Sequence, residues 1–184
     1  MAIPTTQILK EGKILLYPTD TVWGLGCDAT NPDAVARIYQ IKQRSESKSL
    51  IVLVSNLSML QEYVTFIPVS ALAYLQVPHH PTTIIYPQAQ GLAPNAIAAD
   101  GSVAIRIVQD NFCQQLINDF GKPIISTSAN ISGAPTPKYY KQISPEIIAQ
   151  CDYIVPYKQE DTTIKKPSRL ISFDASGELI ILRD

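Results

Sequence analysis

Apolar positions fall along this chain in short blocks, and their spacing alternates between two periods. "ILLY", residues 14–17, is an unbroken apolar run stopped by Pro18 and reads as a buried strand. Asn31 then offers a helix cap, Pro32 suits the first helical position, and Asp33 puts negative charge at the helix start. Val35, Ile38 and Ile41 continue at near-helical spacing, which predicts an amphipathic helix over 32–43. "LIVLV" (50–54), "TTIIY" (82–86) and "VAIRI" (103–107) read as further strands. Short helices are expected over 57–66 and 69–75, split by Pro68, and a longer one over 111–120. The segment 87–102 is rich in turn residues, and a strand begins at Pro123 and runs to Ser126. Residues 139–149 form a modest helix candidate, and Val155, 169–173 and 179–182 supply closing strands. Helices alternating with buried β-rich runs predict an α/β fold with a mixed sheet. No repeat, linker or low-complexity segment interrupts it.

Composition narrows the class. With 184 residues, 46% of them apolar and 17% charged, the chain is expected to form one domain (1–184) around a substantial core. A formal net charge of −1 gives no bulk signal for nucleic acid, which leaves only a local basic patch open. Cys27, Cys113 and Cys151 are widely spaced and odd in number, as expected of reduced thiols in a cytosolic protein. No signal-like apolar region lies in residues 1–13, and no segment approaches the roughly 20 apolar residues of a membrane span. A cytoplasmic address without membrane contact is the expectation.

Candidate chemistry gathers at the ends of the strands. After "ILLY" the chain exposes "PTDT", so Thr19, Asp20 and Thr21 either form a plain turn or line a site. In "KQRSESK", Lys42, Arg44 and Lys48 can converge where the helix ends and hold a triphosphate; a solvated helix terminus is the alternative. "STSAN", 126–130, packs three hydroxyls and an amide after a strand, suited either to phosphate and ribose or to an ordinary Ser/Asn turn. Arg106, alone inside "VAIRI", either faces solvent or waits for a carboxylate. Neither G-x-x-x-x-G-K-S/T nor G-x-G-x-x-G is present. The adjacent His79 and His80 diverge along an extended chain, so neither a protein-built metal site nor a histidine triad is expected. The cysteines read as core thiols, and Trp23 as either core or a cover over the strand-end cleft.

"YPTDTVWGLGCDA", "KQRSESKSLIVLV", "VAIRI" and "PIISTSANISGAPTP", in that order and spacing, resemble the YrdC/Sua5 family of threonylcarbamoyl-AMP synthases. The resemblance spans residues 10–184 and is most specific at 126–135. It implies a twisted, open mixed sheet with flanking helices around a concave cavity, the YrdC/RibB-like fold. The implied activity joins L-threonine, bicarbonate and ATP into L-threonylcarbamoyl-AMP, releasing pyrophosphate and water. Separate proteins would then transfer the group to adenosine 37 of tRNA. Arg44 and Lys48 would hold ATP phosphates with Lys42 alongside as the catalytic cations. Ser102, Ser128, Asn130, Thr136 and Arg183 would complete the nucleotide contacts, while Thr21, Arg106, Ser126 and Ser168 would line the threonine pocket. Asp20 is given an orienting role, and Mg²⁺ would come with ATP rather than from a carboxylate cage. Direct contact with tRNA or double-stranded RNA is a further implied partner, and a non-catalytic RNA-binding relative is the alternative reading. Three positions depart from the family pattern. "VPHHPTTII" (77–85) replaces a W-P-G-P-L-T block, Arg169 replaces a threonine, and Leu53 stands where many relatives carry histidine. Ending at Asp184, the chain resembles the short, TsaC-type members.

Overall fold

The computed structural model describes residues 5–45, 49–77 and 80–184. Among them, nine strands form one mixed sheet. In chain order they are β1 (Leu15–Tyr17), β2 (Gly24–Gly26), β3 (Ile51–Val54), β4 (Thr82–Tyr86), β5 (Val103–Ile107), β6 (Ile124–Ser128), β7 (Tyr153–Ile154), β8 (Arg169–Phe173) and β9 (Leu179–Arg183). Their spatial order is β7-β1-β2-β6-β3-β5-β4-β8-β9. The β1–β7, β3–β5 and β4–β8 pairs are parallel and the others antiparallel. The α/β mixed-sheet expectation therefore holds.

Among the described residues six α-helices flank the sheet: α1 (Thr5–Lys10), α2 (Pro32–Ile41), α3 (Leu57–Tyr63), α4 (Val69–Leu75), α5 (Asn111–Phe120) and α6 (Pro145–Ala149). The cap of α2 forms as its sequence requires, with Asn31 Oδ1 accepting from the N–H groups of Asp33 and Ala34. Asp110 caps α5 through Cys113 N–H, and Gly121 ends that helix in the left-handed conformation, with φ of 78°. One core cluster gathers α2, α3 and α4 against the sheet, with Val35, Ile38, Leu60 and Ala71 meeting Val52, Ile84 and Ile105. A second, smaller cluster seats α1 and α5 on Leu15, Tyr17, Leu53 and Ile124.

That asymmetry makes the cavity. Register places Ser126, Ile51, Ala104 and Ile85 side by side on four neighbouring strands. They share a sheet face with Leu53, which α5 covers, but lie beyond the helix and stay open. Two segments differ from expectation. The glycine-rich stretch 24–26, to which the sequence reading gave no element, is a strand packed so closely that a Cβ on Gly26 would stand 2.5 Å from the Tyr17 ring. Residues 139–149 divide into a single 3₁₀ turn at Tyr140–Gln142 and the short α6, capped by Ser144.

Candidate active site

The open floor belongs to a cavity of about 280 Å³ whose walls come from the loop after β1, the end of α2, β6 and the segment entering β8. The "PTDT" loop is preorganised. Thr19 Oγ1 donates to the Val22 carbonyl at 2.8 Å, so the 2.9 Å contact between the two hydroxyls is donated by Thr21. Thr21 N–H bonds Thr19 Oγ1 as well, at 3.0 Å. Thr21 thus presents its remaining lone pair to the cavity, where Arg106 Nη2 stands 3.4 Å away.

Arg106 projects from β5 beside Leu53 of β3. It is only 3% exposed, and its Nη2 pairs with Asp20 Oδ1 at 3.0 Å. The other carboxylate oxygen of Asp20 accepts Gln109 N–H at 3.2 Å. The arginine had two readings in sequence, and a carboxylate from its own chain resolves them. Nε of Arg106 is buried with no partner among the described residues, which leaves donor capacity beside the cavity.

Arg183 enters from β9. Its Nε and Nη2 donate to the Ser168 carbonyl at 3.1 and 2.8 Å, and Ser168 Oγ lies 2.8 Å from Thr83 Oγ1. Burial first, and then the charge of Arg106, lowers the Arg183 pKa, yet a guanidinium remains charged at neutral pH. On the opposite wall, Arg44 Nη2 donates to the Ser49 carbonyl at 2.9 Å. Ser126, Ser128 and Thr136 complete the polar lining, so the cavity gathers Thr21, Arg44, Arg106, Ser126, Ser128, Thr136, Ser168 and Arg183 from eight separate sequence positions.

Three expected site residues lie elsewhere. Lys42 turns away from the cavity: α2 ends at Ile41, Gln43 takes a left-handed φ of 49°, and the side chains on either side of it diverge. Lys42 Nζ is buried against the carbonyls of Ser128 and Asn130, at 2.6 and 2.7 Å, while its own carbonyl accepts Ser132 N–H. Burial, and then the neighbouring Arg44 charge, lowers its pKa to about 8, and the two carbonyls oppose that shift. Asn130 does not line the cavity either; its amide donates to the carbonyls of Ile131 and Ala134 and closes the following turn. Ser102 faces a different groove, with Phe66 and Phe173, because the turn at Asp100 carries it past the end of β5. Lys48 lies outside the described residues, as does His79.

Trp23 is core, its ring tilted against that of Tyr140 with centroids 4.9 Å apart, rather than a lid. His80 lines a neighbouring recess with Lys165, Lys166 and Arg169, and Arg169 pairs with Asp184 at 2.6 Å. Sequence reasoning gave Thr127 no role of its own and passed over Ser49 and Gly24, which also border the cavity. Thr127 stood among the quoted hydroxyls, whereas Ser49 acts through a backbone carbonyl that no side-chain pattern announces. Among the described residues, no three metal-ligating side chains converge and none that lines the cavity is a carboxylate.

The family model Sua5/YciO/YrdC, described as telomere recombination, matches residues 7–184. The chain belongs to this YrdC/Sua5 family. The threonylcarbamoyl-AMP synthase of Photobacterium profundum is 34% identical over 142 residues, covering 76% of this chain and 77% of that protein. The synthase of Xanthomonas campestris pv. campestris is 34% identical over 154 residues, 80% of each chain. Among solved structures, P. abyssi Sua5 complexed with L-threonine is similar with a TM-score of 0.81 and 25% identity over 97% of this chain. This chain spans about half, 52%, of that protein's length. E. coli YciO, at 23% identity and a TM-score of 0.81, shares the fold.

Proposed function

We propose that this chain condenses L-threonine, bicarbonate and ATP into L-threonylcarbamoyl-AMP, releasing pyrophosphate and water. The observation that carries the reading is the cavity itself: three arginines and a row of hydroxyls meet there, with no carboxylate among the described lining residues. Such a surface suits polyanionic substrates, and the 34% identical curated relatives are named for this product.

Each side chain then has a task. Arg106, held by Asp20, would take the threonine carboxylate, with Thr21 and Ser126 beside the amino acid. The threonine nitrogen attacks bicarbonate carbon and water leaves, which gives the N-carboxylated amino acid, a carbamate. A carbamate oxygen next attacks the α-phosphorus of ATP and pyrophosphate departs. Arg44 and Arg183 would neutralise charge on the phosphates, with Ser128 and Thr136 against the nucleotide. Neither step needs a covalent enzyme intermediate, so alignment and charge stabilisation supply the catalysis. Mg²⁺ would arrive on the ATP phosphates, since the described lining offers no carboxylate set for a resident ion. Passage of the product to tRNA adenosine 37 falls to separate transfer proteins.

The test is pyrophosphate release by the purified chain with Mg²⁺-ATP, omitting threonine or bicarbonate in turn. Release that requires both supports the reading. A folded protein that releases none, but binds RNA with an affinity that falls steeply with salt, would instead be a binding relative.

A further inference from the structure

The two edges of the sheet are built differently. β7 is only two residues long, a common means of blunting an edge. β9 is five residues long and reads "LIILR", with no lysine or proline to discourage pairing. Leu179, Ile180, Ile181 and Leu182 are 38, 41, 52 and 52% exposed, so apolar surface shows on both faces of the strand. No strand pairs with its outer side among the described residues.

Hydrogen-bond alternation defines what this edge can accept. Asp174 N–H bonds the Glu178 carbonyl across the β8–β9 hairpin, which makes 174 and 178 a bonded pair. Leu179, opposite Phe173, and Ile181, opposite Ile171, therefore direct their N–H and C=O groups away from β8. A two-fold axis at Ile180 brings the outward groups of Leu179 onto those of Ile181 in a second copy, and the reverse, for four backbone hydrogen bonds. Ile180 then opposes itself on one face, and Leu179 packs against Ile181 on the other. Glu178 opposes Leu182, and Asp184 opposes Ser176, so this register sets no like charges together. Moving the axis to Ile181 would set Glu178 against Asp184. The bulge near Leu182 lies outside the bonded residues.

We propose that β9 is a homodimer interface, in which two copies pair antiparallel about Ile180 and extend their sheets into one. The same pairing steadies the strand that carries Arg183 to the cavity. A single strand pair with its aliphatic side chains is a small contact, so dissociation in the micromolar range is expected.

Light scattering coupled to size exclusion, run as a concentration series on the full chain, tests this. Wild type should shift from monomer to dimer, and Ile180→Lys, which sets two ammonium groups face to face, should stay monomeric with an unchanged circular dichroism spectrum. Ile180→Cys supplies an independent readout. A self-opposed, non-bonded pair places Cα atoms about 4.5 Å apart, within reach of a disulfide. In a Cys151→Ser background, mild oxidation should therefore give a covalent dimer that the same background without Ile180→Cys does not form, since Cys27 and Cys113 are buried and Cys151 is half-buried. A wild type that stays monomeric into the millimolar range overturns the proposal and leaves the edge to a different partner. A dimer that survives Ile180→Lys, or an Ile180→Cys variant that does not cross-link, overturns the assigned register.

Discussion

Removing the guanidinium of Arg106 should cost more stability than removing the whole ion pair. Arg106 and Asp20 bury their side chains to 3 and 6% exposure and meet at 3.0 Å. In Arg106→Met the Asp20 carboxylate stays in that environment with the Gln109 N–H still donating to it. Breaking a buried pair from one side costs about 3–5 kcal/mol. That is a large part of the roughly 5–15 kcal/mol that holds a domain folded. In Asp20→Leu combined with Arg106→Met neither charge remains, and the loss should fall to about 1 kcal/mol or less, because apolar replacement of a buried pair is often neutral. Urea denaturation followed by circular dichroism, with m-values compared across the set, measures both quantities. The threonine requirement should rise in both variants while ATP affinity holds. A double variant as unstable as Arg106→Met, or a single variant within 1 kcal/mol of wild type, would refute the pairing as described.

Arg44→Ala should weaken ATP binding about tenfold, the size of one lost charge-assisted contact, while Ser102→Ala leaves it unchanged; calorimetric titration of both separates the cavity from the groove beyond β5. Lys42 has a folded pKa of about 8 against an ordinary 10.5, so the unfolded chain binds more protons between those values and stability rises with pH there. Relative to Lys42→Met, wild type should gain about 2 kcal/mol between about pH 7 and pH 9.5; a flat difference would mean that the two carbonyls hold the ammonium fully charged. Burial raises the pKa of all three thiols, with Cys151 at about 12, so a disulfide reagent near pH 8 should label the native chain slowly and all three cysteines once urea unfolds it.

Strong periodicity and capping made much of the fold legible. The Asn31–Pro32–Asp33 start of α2 and the apolar runs of β3, β4 and β5 depend on local chemistry that the chain states outright. The misses share a cause. β2 is a strand because the Tyr17 ring fills the space that its glycines leave, a contact between different strands that neither segment reveals alone. The helix expected over 57–66 stops at Tyr63 because Thr65 N–H bonds Gln88 across the fold. In the site, composition marked the cations but not their directions. Lys42 and Arg44 are two residues apart, and the left-handed turn at Gln43 sends one into the 128–130 loop and the other to the cavity. Asn130 and Ser102 were likewise placed by motif position, while the local turn decides where each side chain goes.

The most direct measurement of the central claim is the mass of the product. The purified chain would be incubated with L-threonine, Mg²⁺-ATP and ¹³C-bicarbonate, and the nucleotides resolved by mass spectrometry. The account predicts a threonine adduct of AMP one mass unit heavier than that formed from unlabelled bicarbonate, absent without threonine and strongly reduced in Arg106→Met. AMP or ADP formed without that adduct, or an adduct that carries no label, would contradict it.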